Sequence, residues 1–421
     1  MDKQLKRGLS DRIYEKRKAT ALELERIVSE SLNNNDAEKI QLIIKQLRNE
    51  FAYDIHEPQA RYGGLIGLAA ISIALGPNEL PKYLSTIIHP VIACFGDNDP
   101  NVRYYACEAL YNIAKVAKGE ILIYFNEIFD ILCKLVADVE NSVKNGADIL
   151  DRLIKDIVCD KSTNYISVIN NNPNKLKLKD SHIHDKNGNT IQIYDSQNTK
   201  AFSLSKFIPL LKERIYATNT YTRLFIVSWL ILLDSIPDLE LISYLPSFLD
   251  PLLSYLKSPL KDVRIITENF LKLLLQEIKR IHEIQLINQS NNDVNKDNNN
   301  NDDDLYIPGQ NTIIDYPKII DTLVNNLESN EDLIRLISLD WLINLLIISP
   351  KSFILLIPKL LIILLNIISD NNPHLQEIAL QLNSDLMNLV STNQYETNYT
   401  LIINNLSNEL LKNTSKLNIN N

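Results

Sequence analysis

The sequence predicts an all-α protein, and three observations support that prediction. Hydrophobic residues make up 45% of the 421 residues and charged residues 23%, which is the balance of a folded chain. Glycine is scarce, with 10 residues, and the 16 prolines are too few for a turn-rich β fold. A motif of about 41 residues recurs along the chain, and its apolar positions follow helical spacing.

The repeat becomes visible when eight residues, all basic except the last, are used as its anchors: Arg17, Arg61, Arg103, Lys144, Arg223, Arg264, Arg335 and Gln376. Arg103 and Lys144 lie 41 residues apart, as do Arg223 and Arg264. An Ile or a Leu stands ten residues beyond each anchor. This regularity predicts that the position lies on the helical face that is turned to the core. With two neighbours of Ile154, the expected core positions are Ile27, Ile71, Ile113, Leu150, Leu153, Ile154, Leu233, Leu274, Leu345 and Leu386.

A second apolar helix precedes each anchor helix, so the repeating unit is a helical hairpin. Short polar turns such as 97–100 join the two helices. Hairpin units of ~40–47 residues are typical of HEAT and armadillo repeats, and two helices with prolines in the first favour HEAT. The sequence therefore predicts a HEAT-repeat α-solenoid of about eight helical hairpins with two disordered inserts.

The inserts are two polar segments that lengthen the step between anchors. They are rich in Asn, Asp, Lys and Ser, and such segments cannot bury enough apolar surface to offset chain entropy. The expected organisation is 1–58 capping helices and first HEAT unit, 59–158 HEAT units, 159–202 polar insert, 203–285 HEAT units, 286–312 Asn/Asp-rich insert, 313–392 HEAT units, and 393–421 C-terminal helix and polar tail.

Charge and cysteine usage narrow the class of function. The net charge of −9 argues against nucleic-acid binding, which needs clustered Lys and Arg. Four cysteines without a Cys-x-x-Cys pair, and no apolar segment behind the first residues, predict a cytoplasmic protein without a secretory signal. The basic run from Lys3 to Lys18 is either a solvated capping helix or a contact for anionic lipid or an acidic partner.

No catalytic constellation is evident, so no cofactor, metal or catalytic residue is expected. Gly63 and Gly64 begin a glycine cluster that lacks the Gly-Lys-Ser/Thr ending of a phosphate loop and is better explained by close helix packing. The anchor residues are expected to bond neighbouring turns as a ladder. The residues alone therefore predict a non-enzymatic binding scaffold, with a karyopherin-like carrier of basic cargo as the alternative.

Longer segments carry a resemblance to a known family. The sequence RYGGLIGLAAISIALG at 61–76 and RYYACEALYNIAKVA at 103–117, with 9–25, 150–158 and 207–215, resembles the N-terminal half of the Vac-fourteen family. The matching segments are collinear and fall roughly within residues 5–280. Members of that family are HEAT-repeat scaffolds of the complex that makes and turns over phosphatidylinositol 3,5-bisphosphate.

The resemblance implies partners and a location. It implies binding of a FYVE-domain phosphatidylinositol 3-phosphate 5-kinase through residues 59–158, and peripheral association with vacuole and late-endosome membranes through partners. The family also holds a Sac-domain phosphatase, but through a C-terminal half that has no counterpart here. The candidate kinase-contacting residues implied by the resemblance are Arg61, Arg103, Tyr104, Glu108, Tyr111, Arg152 and Lys155.

Overall fold

The computed structural model confirms an all-α fold. It describes residues 1–169, 183–184, 190–191, 200–294, 309–310 and 312–392, together with helical residues at 400, 403–404 and 407. Apart from α-helices and short 3₁₀ and π turns, these described residues contain two strands of two residues each. The strands, β1 (Ile183–His184) and β2 (Thr190–Ile191), pair antiparallel with Ile183 opposite Ile191.

The chain divides into two compact units, Met1–Leu210 and Leu211–Asn421. A π-helical turn (Leu47–Ala52) follows α3, and a 3₁₀ helix (Lys118–Tyr124) precedes α6. The α-helices that begin in the first unit are α1 (Lys3–Leu9), α2 (Tyr14–Asn33), α3 (Ala37–Gln46), α4 (Pro58–Cys94), α5 (Pro100–Ala117), α6 (Phe125–Leu135), α7 (Asn141–Lys161) and α8 (Leu204–Arg214).

The second unit continues the same alternation of helices. Short 3₁₀ helices (Pro237–Leu239, Leu241–Ser247, Tyr255–Lys257 and Pro350–Phe353) introduce or end several of its elements. Its α-helices are α9 (Thr220–Asp234), α10 (Leu249–Ser254), α11 (Lys261–Val294), α12 (Tyr316–Asn326), α13 (Asp332–Ile348), α14 (Ile357–Ile368) and α15 (Pro373–Ser391). Taken in chain order, the described helices of both units provide eight hairpins, one for each anchor residue.

Helix α4 serves two hairpins because it is broken at Gly76. The backbone there has φ 66° and ψ 178°, a conformation that residues with a Cβ rarely adopt. Residues 58–75 therefore form the second helix of hairpin two, and residues 77–94 form the first helix of hairpin three. Among the described helices α4 alone is long and apolar enough to cross a membrane, but 61% of its most apolar window is buried inside the protein.

The glycines of α4 allow close helix packing, as the sequence predicted. A Cβ added at Gly63 would lie 2.0 Å from the carbonyl oxygen of Leu9, at the end of α1. One added at Gly64 would lie 2.7 Å from the amide nitrogen of Ala52, in the π-helical turn. Neither backbone atom can move aside cheaply, so α4 requires glycine where it meets these two elements.

The anchor register coincides with burial in most units. The structure buries Ile71, Ile113, Leu150, Ile154, Leu233, Leu274, Leu345 and Leu386. Two expected core residues differ. Leu153 is half-buried because it lies at the edge of the α7 stripe formed by Leu150, Ile154 and Ile157. Ile27 is half-buried because α2 turns the row containing Leu24 and Val28 to the core instead.

Both predicted inserts begin later than the sequence indicated. Helix α7 runs to Lys161 and α11 runs to Val294, so the first residues of 159–202 and 286–312 are helical. The rest of the disorder prediction falls mainly on residues outside those described, as does most of the predicted tail at 393–421.

The two ends of the first insert are held together, in an arrangement we call the insert neck. Ile166 pairs with Lys200 in a single β-bridge, and the Ala201 amide donates to the Tyr165 carbonyl at 3.2 Å. The carboxylate of Glu120, whose residue is 1% exposed, accepts hydrogen bonds from Tyr165, from Ser167 at 3.0 Å and from the Val168 amide. A buried carboxylate needs such donors, and the neck supplies three.

Candidate partner-binding surface

Arginine anchors cross-link successive hairpins, as the sequence predicted. Arg61 forms an ion pair of 2.7 Å with Asp97, and Arg103 forms a bidentate pair with Asp138 at 2.8 and 2.9 Å. In the second unit Arg335 pairs with an aspartate of the next hairpin, Asp370, at 2.6 Å. Each pair joins the second helix of one hairpin to the turn of the next, so these anchors form a ladder of ion pairs.

Arg61 and Arg103 also close their own turns. The Arg103 guanidinium donates to the carbonyl oxygens of Asp97 and Asn98 at 2.7 and 3.2 Å. The equivalent bond runs from Arg61 to the carbonyl of Asp54 at 2.6 Å. Arg61 and Arg103 are therefore both engaged in bonds within the chain that hold the hairpins together.

Arg17, the first anchor, lies in an aromatic cluster instead of a ladder. Its guanidinium, 3% exposed as a residue, donates to the Tyr105 hydroxyl at 2.9 Å and lies 5.3 Å from the centre of the Tyr62 ring. Tyr62 in turn donates to the Asp99 carboxylate at 2.5 Å. Burial, followed by that hydrogen bond, raises the pKa of Tyr62 to about 12. The cluster ties α2, α4 and α5 together.

The basic run at the start of the chain is partly neutralised by its neighbours. Lys6 forms an ion pair of 2.5 Å with Glu50, and Lys16 forms one of 3.2 Å with Asp11. Arg17 is buried in the aromatic cluster. These contacts favour the interpretation of this run as part of a capping hairpin.

A groove opens between α2, the first half of α4, and α5. It has a volume of about 160 Å³, and the alanines at its floor are Ala21, Ala69, Ala70 and Ala109. Leu22 and Ile73 form its apolar walls and are 58% and 45% exposed. Lys18, Glu25 and Glu108 bring charge to it. We refer to it below as the α2–α5 groove.

Two of the predicted kinase-contacting residues lie at or next to this groove. Glu108 lines it, half-buried, and burial raises the pKa of its carboxyl while Lys18 acts in the opposite direction. Tyr104, on the same helix, is 37% exposed. Tyr111, one turn further along α5, is half-buried.

The other two predicted contact residues lie on α7. Arg152 is exposed and forms an ion pair of 2.7 Å with Asp148, one turn earlier. Lys155 pairs with Asp151 at 2.7 Å and is more enclosed. Ile149, which the sequence pattern did not indicate, is 55% exposed on the same helix. The seven predicted residues thus separate into two ladder anchors, a group on α5 and a pair on α7.

The described residues offer no metal-ligand cluster of three or more His, Cys, Asp or Glu side chains. The sequence also holds a His-x-His pair, His182 and His184, of which His182 lies outside the described residues. Cys107 is buried, and this burial raises the pKa of its thiol to about 12, so it is a core residue and not a nucleophile.

Helical hairpins that repeat about every 41 residues and are cross-linked by arginine define a HEAT-type helical-repeat protein. Residues 59–156, from α4 to α7, match the family model described as the Vacuolar 14 Fab1-binding region. The segment predicted from the sequence is 59–158. The chain belongs to the VAC14 family, and its curated relatives bear this out.

Three curated relatives align with almost the whole chain. Vacuole morphology and inheritance protein 14 of Saccharomyces cerevisiae is 43% identical over 93% of this chain and 53% of its own length. Protein VAC14 homolog of Schizosaccharomyces pombe is 44% identical over 93% of this chain and 51% of its own length. Protein VAC14 homolog of Arabidopsis thaliana is 35% identical over 91% of this chain and 42% of its own length. The chain therefore spans about half the length of the relatives it matches.

A solved structure of the karyopherin Kap121p, bound to the extreme C-terminus of the protein phosphatase Cdc14p, covers 91% of this chain and 37% of its own. Its sequence is 14% identical and its TM-score is 0.29. A likeness this weak does not support the karyopherin-like alternative.

Proposed function

We propose that this chain is a non-enzymatic scaffold that binds and activates a Fab1-type phosphatidylinositol 3-phosphate 5-kinase. It would thereby support phosphatidylinositol 3,5-bisphosphate synthesis at vacuole and endosome membranes. The observation that carries the proposal is the match of residues 59–156 to a Fab1-binding region, over helices α4 to α7.

The architecture of this region suits a docking surface. The Arg61–Asp97 and Arg103–Asp138 pairs fix three successive hairpins, so exposed side chains on α5 and α7 are presented on a rigid support. Pre-organisation of this kind reduces the entropy lost on binding. Ile149 and Arg152 provide an apolar and a basic side chain that remain exposed to solvent.

Membrane association in this proposal is indirect. The one described helix that could cross a membrane by composition, α4, is a core helix whose apolar side chains face other helices. The lipid substrate would instead be handled by the bound kinase. Association with a Sac-domain phosphatase, implied by the family resemblance alone, is a separate proposal that recovery of that phosphatase with this chain would test.

The kinase-binding proposal is tested by a double substitution on α7, Ile149→Asp with Arg152→Glu. The matched control is Lys272→Glu with Leu273→Asp on α11, because the Lys272–Glu268 pair has the same spacing and the same 2.7 Å distance as the Arg152–Asp148 pair. Leu273 is 48% exposed, close to Ile149. We expect the α7 variant to lower recovery of purified kinase at least tenfold and the α11 variant to leave it unchanged.

Equal recovery with both variants would contradict the proposal that α7 contacts the kinase. Failure of the unmodified chain to recover kinase at all would contradict the proposed function. Circular dichroism of each variant checks that these exposed substitutions leave the helices intact.

A further inference from the structure

The α2–α5 groove is built to receive side chains. Its alanine floor lies between walls made by longer residues, and a row of small side chains between large ones leaves a depression on a helical surface. Leu22 and Ile73 stand on opposite walls and leave about half of their surface in water. Covering the exposed surface of two such aliphatic side chains removes apolar area from water, which favours association with a partner.

Within this apolar groove, Glu108 places a carboxylate that lacks a hydrogen-bond donor in the part of the chain that the structure describes. The carboxylate is half-buried, and none of the described residues donates a hydrogen bond to it or forms an ion pair with it. By contrast, the aspartates of the ladder each hold an arginine. A partly desolvated carboxylate without a donor is stabilised by an incoming Lys or Arg side chain.

The position of the groove indicates what occupies it. The wall formed by α4 and α5, including Ile73 and Glu108, lies within the matched Fab1-binding residues 59–156. The opposite wall, formed by Tyr14, Lys18 and Leu22 of α2, lies outside that match. The groove is therefore continuous with the candidate interface and extends it onto the first hairpin.

We propose that the α2–α5 groove receives a segment of the Fab1-type kinase that places apolar side chains against Leu22 and Ile73 and a Lys or Arg side chain against Glu108. This inference rests on the proposed function and deepens it, because it makes α2 part of the kinase interface. It also divides the interface into two sites, the groove and the exposed face of α7.

The test measures the affinity of the complete chain for purified kinase with Leu22→Asp, Glu108→Gln and a control, Leu42→Asp. Leu42 is 54% exposed, close to the 58% of Leu22, but it lies on α3 away from the groove. We expect Leu22→Asp to weaken binding at least tenfold and Leu42→Asp to change it less than twofold. Glu108→Gln should weaken binding three- to tenfold and reduce its dependence on salt concentration, since it removes a charge pair.

The outcomes separate this inference from the proposed function. If Leu22→Asp and Glu108→Gln bind like the unmodified chain while the α7 variant loses binding, the kinase interaction stands and the groove proposal is wrong. If the unmodified chain does not bind kinase, both fail. If sedimentation shows that the chain alone dimerises and that Leu22→Asp abolishes the dimer, the groove holds a second copy and the kinase is not its occupant.

Discussion

The anchor residues behave differently in hairpins two and three, which carry Arg61 and Arg103, and in hairpins five and six, which carry Arg223 and Arg264. Arg103 closes its own turn and also holds Asp138 of the next hairpin through two hydrogen bonds. Arg264 closes its own turn through the carbonyl of Ser258 at 2.6 Å, and no carboxylate among the described residues lies within ion-pair distance of it. Arg223 places its guanidinium 4.9 Å from the centre of the Tyr255 ring.

The difference follows from a single position of the repeat, six residues before the anchor. Asp97, Asp138 and Asp370 occupy it where a ladder forms, whereas Ser258 and Ser329 occupy it where none does. Closing a turn is therefore a task that Arg61, Arg103, Arg223 and Arg264 share. Linking two hairpins is an additional task that depends on the residue the next unit supplies.

The largest loss of stability is expected for Arg103→Ala. It removes the ion pair and the turn closure together, and it leaves a largely buried Asp138 carboxylate without its partner. We expect a loss of about 3 kcal/mol in the free energy of opening hairpins three and four. Hydrogen exchange of amides in α5 and α7, followed by mass spectrometry, measures it.

The paired substitution is Arg264→Ala, which removes turn closure alone. We expect a loss of about 1 kcal/mol for the amides of α11. Equal losses at the two sites would mean that the Asp138 pair contributes nothing beyond the turn, and the distinction between the two regions would fail.

Acidification gives a second, smaller test of the ladder. Burial acts to raise the pKa of Asp138, but hydrogen bonds from Arg103 and from the Glu140 amide outweigh it, and the net pKa is lowered. A carboxyl whose folded pKa lies below its unfolded value of about 3.9 stabilises the fold above that pH and loses this contribution as the pH falls through the folded pKa. The stability difference between the unmodified chain and Asp138→Asn should therefore be full at pH 7 and shrink below about pH 4.

The exposed pair of Arg152 and Asp148 provides the control for this titration. Asp148→Asn should change stability little at either pH, because exposed ion pairs are screened by water. A difference for Asp138→Asn that persists unchanged in acid would contradict the assignment of its effect to the carboxylate charge.

The smallest expected effect is a gain, from Ser329→Asp. The Ser329 hydroxyl already accepts a hydrogen bond from the Glu331 amide at 3.3 Å, as the Asp138 carboxylate does from the Glu140 amide at 2.9 Å. A carboxylate at position 329 would keep this bond. It would also give Arg264 an ion-pair partner at the position of the repeat where Asp138 binds Arg103. We expect a gain of about 0.5 kcal/mol for the hairpin of α12 and α13, measured by hydrogen exchange.

Combining this substitution with Arg264→Ala identifies the cause of that gain. If Ser329→Asp gives the same gain in the Arg264→Ala variant as in the unmodified chain, no new ion pair has formed, and the register does not place these two positions together.

Much of the fold could be predicted from the sequence because the same pattern of apolar positions recurs in each repeat. An apolar residue ten positions after an anchor is buried in hairpins two to eight, since each unit solves the same packing problem. The first hairpin departs from this rule, with Val28 buried in place of Ile27. Leu153 shows the limit at the edge of a helical stripe, where one residue of rotation separates buried from half-buried.

The candidate site was harder to predict because it depends on which side chains are already engaged in contacts within the fold. Arg61 and Arg103 are conspicuous cations in sequence, yet the structure commits both to the ladder. The groove depends on small residues contributed by three separate helices, and no single segment displays it. The buried carboxylate of Glu120 gave no signal at all, because its three donors lie more than forty residues further along the chain.

The insert neck has a consequence for how this protein can vary. Since Tyr165 bonds Ala201 and Ile166 pairs with Lys200, the path from α7 to α8 is closed at its base whatever lies between. Lengthening a closed loop costs only about 0.6 kcal/mol for each doubling. The segment between Ile166 and Lys200 can therefore gain, lose or exchange residues, even a small foreign domain, while Ile166 and Lys200 stay paired at its base.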